Sequence, residues 1–157
     1  MFRDYEHLIE ILNRGFMFRI HLILSAQKPL QKDYTPAIIE KCGVKIALAT
    51  ANDKELYEPC LKRLKIISFF DYIIDVDKVK EGKSSPKIFN AVSEYFGVKP
   101  SEILVLEDSL MGLKTAKNAG YITVGVDDKL SKASVEDKKS ESYLYVTNFD
   151  ELIKVIK

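Results

Sequence analysis

Three short stretches of this chain place chemically capable side chains directly after apolar runs or in polar turns. Val44 to Thr50 (VKIALAT) ends in a hydroxyl and is followed by Ala51 and Asn52. Lys83 stands in the polar turn GKSSP, and Ile103 to Leu106 (ILVL) runs into Glu107 and Asp108. A strand-terminal hydroxyl, with the backbone N–H groups that follow it, can hold a phosphate at a helix start. A lysine can neutralise that phosphate, and adjacent carboxylates suit a hard cation such as Mg²⁺, which takes one or two of them with water and substrate oxygens. Each signal also has a plain reading. Threonine is a common turn residue, most loop lysines are solvated, and an acidic pair at a helix start favours the helix's positive end. The order in which the three occur carries more than any one of them.

The surrounding elements would bring these residues together. From Val44 onward, compact β-like runs alternate with amphipathic helical stretches. Asp53 to Leu64 has Leu56, Tyr57, Cys60, Leu61 and Leu64 at helical spacing, with Asn52 or Asp53 able to cap it. Tyr72 to Val76 is a second short strand. Ser85 and Pro86 read as N-cap and first residue of a helix carrying Ile88, Phe89, Val92 and Phe96 on one face, stopped by Gly97. After the run at Ile103 to Leu106, Ser109 to Ala119 is helical. In it, Gly112 marks a close approach and Gly120 is a left-handed C-terminal cap. Tyr121 to Val126 and Tyr143 to Val146 are strands, Phe149 to Ile156 a closing helix, and the lysine- and serine-rich stretch between Asp127 and Ser142 a surface connection. Strands alternating with helices predict an α/β fold, a parallel sheet with helices on both faces. Ligands of such sheets bind beyond the carboxyl ends of the strands, where all the candidate residues fall.

The first 43 residues follow a different pattern. Phe2 to Leu12 can form an amphipathic helix, Arg19 to Leu24 a strand or a second helix, and Thr35-Pro36 opens a helix that Gly43 would end. Nothing in this part ends an apolar strand with an acid. Composition bounds the rest. The 157 residues are 46% apolar and 30% charged, as expected of a globular domain. With 24 basic against 23 acidic residues the net charge is +1, which offers no electrostatic case for nucleic acid or an anionic membrane. The apolar stretch Phe16 to Leu24 is broken by Arg19 and His21, so neither a membrane span nor a secretion signal is expected. Cys42 and Cys60 have no metal-ligand spacing and fit a reducing cytosol, so a cytoplasmic location is expected.

Three segments together carry a resemblance: IALATAN (Ile46 to Asn52), GKSSPKIF (Gly82 to Phe89) and VLEDSLMGLKTAKNAG (Val105 to Gly120). They resemble the second, third and fourth motifs of haloacid dehalogenase (HAD) superfamily hydrolases, in the β-phosphoglucomutase-like branch. The likeness runs from about Gly43 to Val126. It rests on order and spacing: 33 residues separate Thr50 from Lys83, and 24 separate Lys83 from Glu107. The resemblance implies a Rossmann-like HAD core over residues 44–157. It makes residues 1–43 a cap remnant or a rearranged segment within one compact unit. It further implies that Thr50 hydrogen-bonds a transferring phosphoryl group, that Lys83 neutralises it, and that Ala51 and Asn52 lie at the substrate. Asp108 would bind Mg²⁺, with Glu107 as a second ligand or an acceptor behind it. A lysine and a divalent cation supply the positive charge that phosphoryl transfer needs. GKSSP departs from the more usual GKPxP, which implies a looser turn after Lys83.

The family's first motif, an apolar run ending in D-x-D-x-[T/V], is absent before Thr50, and with it the aspartate that forms the aspartyl-phosphate. Tyr72 to Lys78 (YIIDVDK) offers a decoy in Asp75 and Asp77, but it occupies the variable stretch before Lys83 and has lysine where threonine or valine is expected. Surface carboxylates in a loop are the better reading. The missing motif also removes the strand that belongs between the one ending at Thr50 and the one ending at Glu107, whose backbone groups need other partners. Three solutions are open: Arg19 to Ser25 recruited as a substitute, direct pairing of the two strands, or a strand supplied by another polypeptide; the first is favoured if the chain folds alone. Two functions follow: a Mg²⁺-dependent phosphatase or phosphomutase on a small phosphorylated metabolite, a sugar phosphate above others, or a non-catalytic phosphate- or Mg²⁺-binding or interaction module. Without the nucleophile the chain is expected to be inactive as it stands, and a truncated gene product is one way to reach that state.

Overall fold

The computed structural model describes residues 20–25, 45–82, 84–128, 132–148 and 150–151. Its centre is a six-stranded sheet in the order β3-β2-β1-β4-β5-β6. The strands are β1 (Ile20–Ser25), β2 (Lys45–Thr50), β3 (Tyr72–Asp75), β4 (Ile103–Glu107), β5 (Ile122–Val126) and β6 (Leu144–Val146). The helices are α1 (Lys54–Arg63), α2 (Val76–Val79), α3 (Lys87–Phe96), α4 (Leu110–Asn118) and α5 (Val135–Ser140). This is the expected α/β fold, with β2 parallel to β3 and β4 parallel to β5, which is parallel to β6.

The exception is the middle strand. β1 pairs antiparallel with both β2 and β4, in the registers Ile20 to Thr50 and Leu22 to Leu106. The substitute strand expected from Arg19 to Ser25 therefore forms over Ile20–Ser25, running against its neighbours; Arg19 lies outside the described residues. A parallel sheet built from two separate halves leaves inward-facing backbone groups at the join. A strand of either sense can satisfy them, because antiparallel pairing hydrogen-bonds at least as well as parallel.

Alternation along the strands sorts the core into two layers. Ile46 and Leu48 of β2, Leu104 and Leu106 of β4, and Val124 of β5 face Tyr57 and Leu61 of α1. Ala47 and Ala49, Ile103 and Val105 face Ile88, Phe89 and Val92 of α3 and Ala116 of α4. The small alanines of β2 admit the Phe89 ring, which is fully buried. Helices thus cover both faces, so the strands are apolar throughout.

Most local expectations hold, and the departures have clear causes. Gly97 ends α3 with φ 65°, in the left-handed region that favours glycine. Gly120 follows α4 with φ 87°. α3 starts at Lys87, with Pro86 in the cap position, one residue later than read from Ser85-Pro86. Val76, expected in a strand, opens the short α2 instead, because the Asp75 carboxylate accepts the Lys78 N–H and caps it. The stretch from Asp127 to Ser142 is not simply a surface connection: Ser134 caps α5 by accepting the Asp137 N–H at 3.0 Å, and Lys138 of that helix is buried. Its stem packs inward, with the ammonium 5.7 Å from the centre of the Tyr145 ring. The helices expected over Phe2 to Leu12 and after Thr35 lie outside the described residues, as does most of the closing helix. No described helix is long and apolar enough to cross a membrane.

Candidate functional site

The carboxyl ends of β2, β3, β4 and β5 form one edge of the sheet. Register places Thr50 beside Asp75, and Glu107 beside Gly125. β1 lies between the two halves with its amino end at this edge: Ile20 pairs with Thr50, and continuing its register with β4 brings Ile20 level with Asp108. Thr50, Ala51, Asn52, Glu107 and Asp108 are therefore brought to one edge, as expected. Lys83 lies outside the described residues.

On the β2 side, Thr50 is buried and its Oγ1 accepts the Asn52 N–H at 3.1 Å, which folds the chain into the turn. Ala51 and Asn52 are half-buried. Asp53 occupies the N-cap of α1, as one of the two expected residues, but its side chain makes no cap bond. Its carbonyl accepts from Leu56 and Tyr57 instead. The start of α1 thus presents backbone N–H groups without a carboxylate over them, an arrangement open to an anion.

The neighbouring Asp75 corrects an expectation. It is not a surface loop carboxylate but the buried last residue of β3, while Asp77 is exposed on α2. Asp75 accepts the Tyr57 hydroxyl at 3.2 Å through Oδ2 and caps α2 through Oδ1. Burial, and then the Asp75 carboxylate, push the Tyr57 hydroxyl up to about 12. Both oxygens of Asp75 thus hold α1 and α2 to the sheet.

The β4 side is built more tightly. Glu107 is fully buried, and its Oε1 accepts the Ser109 N–H at 3.0 Å and also the Ser109 hydroxyl. Ser109 in turn caps α4, its Oγ accepting the Gly112 N–H at 3.1 Å. The close approach expected at Gly112 is to the Glu107 side chain: a β-carbon there would lie 2.4 Å from Glu107 Cδ and 2.6 Å from Oε1. Asp108 follows, half-buried, and its Oδ1 is buried with no hydrogen-bond partner among the described residues. An uncommitted carboxylate oxygen out of water is costly unless something positive approaches it. Among the described residues no group of three or more His, Cys, Asp or Glu side chains is placed to hold a metal ion. A Mg²⁺ ion does not require one, since it keeps several waters, so Asp108 fits as a single carboxylate ligand with Glu107 behind it.

Two further details were not legible. Either side of Lys83, the Ser85 N–H donates to the Gly82 carbonyl at 3.1 Å, and the Ser85 hydroxyl accepts the Lys87 N–H. After β5, Asp127 accepts the Tyr145 hydroxyl at 2.7 Å, which ties that strand end to β6. Only the strand-end position of Asp127 could have suggested a role for it, and that signal does not name the partner.

Comparison with known proteins fits this arrangement. The haloacid dehalogenase-like hydrolase family matches residues 6–120, and the chain belongs to that family. Within it, the chain is similar to a phosphorylated carbohydrates phosphatase of Thermotoga maritima, 39% identical over 77 residues, which is 49% of this chain and 36% of the relative. The fold is similar to that of β-phosphoglucomutase from Clostridium difficile, with a TM-score of 0.61 at 25% identity over 74% of this chain and 48% of the other. It is also similar to CbbY from Rhodobacter sphaeroides in complex with phosphate, with a TM-score of 0.65 at 27% identity over 74% of this chain and 52% of the other. The chain thus spans about half the length of these relatives or less.

Proposed function

We propose that this chain is a phosphate-handling domain for a small phosphorylated metabolite, a sugar phosphate, that works with Mg²⁺ but does not turn its ligand over as a single chain. Thr50 and the start of α1 receive the phosphate, Ala51 and Asn52 contact the rest of the ligand, and Lys83 neutralises its charge. Asp108 takes the cation, which when bound adds positive charge beside the phosphoryl oxygens.

The observation that supports inactivity is the direction of β1. A nucleophile at the end of the middle strand would have to leave that strand between Thr50 and Asp108. Here the carboxyl end of β1 is Ser25, paired with Lys45 and Ile103 at the far edge of the sheet. Five residue steps, roughly 17 Å, separate it from the site. Among the described residues, Asp75 is the remaining buried acid at the near edge apart from Glu107, and it is held by Tyr57 and α2.

The test is hydrolysis of p-nitrophenyl phosphate with Mg²⁺ by the chain and by Asp108→Asn, beside calorimetric titration with inorganic phosphate. The expected result is no turnover distinguishing the two proteins, with phosphate binding that weakens when Mg²⁺ is withheld. Turnover by the chain that disappears in Asp108→Asn would establish it as a working phosphatase and sink the inactive reading.

A further inference from the structure

We infer that the buried pair Tyr57 and Asp75 is a brace across the phosphate end of the sheet: both are positioning residues, and together they set the start of α1 and the loop after α2 as one unit. This rests on the reading of that edge as a phosphate site.

The start of α1 has only local bonds of its own. The turn after β2 is shaped by the Asn52 N–H donating to Thr50 Oγ1, and Asp53 makes no side-chain cap. The Leu56 and Tyr57 N–H groups both return to the Asp53 carbonyl, so the first turn closes on itself. Its polar tie to the sheet is Tyr57. The ring is buried in the core layer beneath α1, and the hydroxyl donates to Asp75 Oδ2 at 3.2 Å. Asp75 ends β3 in register with Thr50 at the end of β2. The hydroxyl bond therefore fixes the first turn of α1 to the strand beside the one that carries Thr50.

The other oxygen of the same carboxylate acts on α2. Four residues are too few for a helix to hold itself, because nucleation costs more than a single turn returns. Asp75 Oδ1 accepts the Lys78 N–H at 3.1 Å and supplies the cap. α2 ends at Lys80 with φ 57°, a left-handed conformation that residues with a β-carbon seldom adopt and that surrounding structure must hold. Here the Lys80 N–H donates to the Val76 carbonyl at 2.8 Å, on the turn that Asp75 caps. Beyond it, the Lys87 ammonium meets Glu81 and the Ser85 N–H meets the Gly82 carbonyl. The loop takes its direction from α2, and α2 takes its own from Asp75. A carboxylate on the strand next to Thr50 also repels a phosphate bound there. Asp75 thus opposes binding by its charge and promotes it by its hydrogen bonds, and the two effects can be separated.

Calorimetric titration with inorganic phosphate and Mg²⁺, well below the melting temperature of each protein, separates them. Asp75→Asn removes the charge but keeps an acceptor for Lys78 and a donor for the Tyr57 oxygen, so it is expected to bind at least as tightly as the unaltered chain. Asp75→Ala removes the same charge and both bonds, and is expected to bind about tenfold more weakly than Asp75→Asn. Tyr57→Phe alters no charge and is expected to weaken binding about fivefold. In the same protein the amide hydrogens of Lys80 and Ser85, on the far side of the brace, should exchange about fivefold faster by nuclear magnetic resonance. Equal affinities for Asp75→Ala and Asp75→Asn, beside a Tyr57→Phe protein unchanged in affinity and exchange, would reduce the pair to core packing and overturn the assignment. Should Asp75→Ala not fold, Tyr57→Phe decides by the same two readouts. If the unaltered chain binds no phosphate, the phosphate reading fails by itself and exchange alone decides the coupling. Faster exchange at Lys80 and Ser85 in Tyr57→Phe would uphold it; unchanged exchange would overturn it.

Discussion

The strand ends on either side of β1 face the same edge but are held by different means. At the β2 end, Thr50 and the turn after it are shaped by one local hydrogen bond, and the helix that follows starts without a side-chain cap. At the β4 end, a buried carboxylate, a capping serine and a glycine interlock, so the turn cannot move without disturbing the core. The difference suits the roles proposed for the two ends, phosphate at β2 and cation at β4. A phosphate brings its own acceptor oxygens and can organise a row of N–H groups on arrival. A cation needs carboxylate oxygens already in place, and desolvated carboxylates must be fixed by the protein.

Substitutions that probe this contrast should rank by side. The largest loss is expected from Gly112→Ala, which drives a methyl group into Glu107; overpacking of this kind costs about 3 kcal/mol, to be read from urea unfolding. A smaller loss would mean that α4 can lift, weakening the contrast. Ser109→Ala removes the cap of α4 and should cost about 1–2 kcal/mol in the same assay. Asp53→Ala, its counterpart on α1, should cost under about 0.5 kcal/mol, because no cap bond is lost. Equal losses at the two caps would erase the distinction. At neutral pH Tyr57→Phe should cost about 1 kcal/mol, for one hydroxyl bond, between the two caps in size. Its signature lies in alkali. The hydroxyl is raised from 10.0 to about 12 in the folded chain, so its stabilisation is complete below pH 10 and is lost as pH rises towards 12. The unaltered chain should therefore lose stability more steeply than Tyr57→Phe over that interval, as followed by circular dichroism in urea at stepped pH.

The frame was legible because its signals are local. Apolar runs bounded by turn residues gave β2, β4 and β5, and glycines placed the ends of α3 and α4. The candidate residues on described positions were legible for a related reason: strand ends in a parallel sheet converge, so order along the chain becomes proximity at one edge. What escaped depended on partners distant in sequence. Asp75 looked like a loop acid because nothing local announces that Tyr57, on another element, will bury and satisfy it. Lys138 looked solvated because its neighbour Tyr145 becomes visible only once α5 has packed on β6. The sense of β1 was also beyond reach, since an apolar run has no direction until its neighbours give it one.

That reversed strand also bears on how the chain assembles. β2 with β3, and β4 with β5, are joined by single helical crossovers and can form from neighbouring stretches of chain. β1 meets β4 through pairs such as Leu22 and Leu106, which lie 84 residues apart. Closing so long a loop is costly before its contacts repay the lost entropy, and contacts of that range slow folding. The strand at the geometric middle should therefore be the last seam to close. Two half-sheets, each with an open apolar edge, would precede it, and in that interval a foreign strand could take the place of β1.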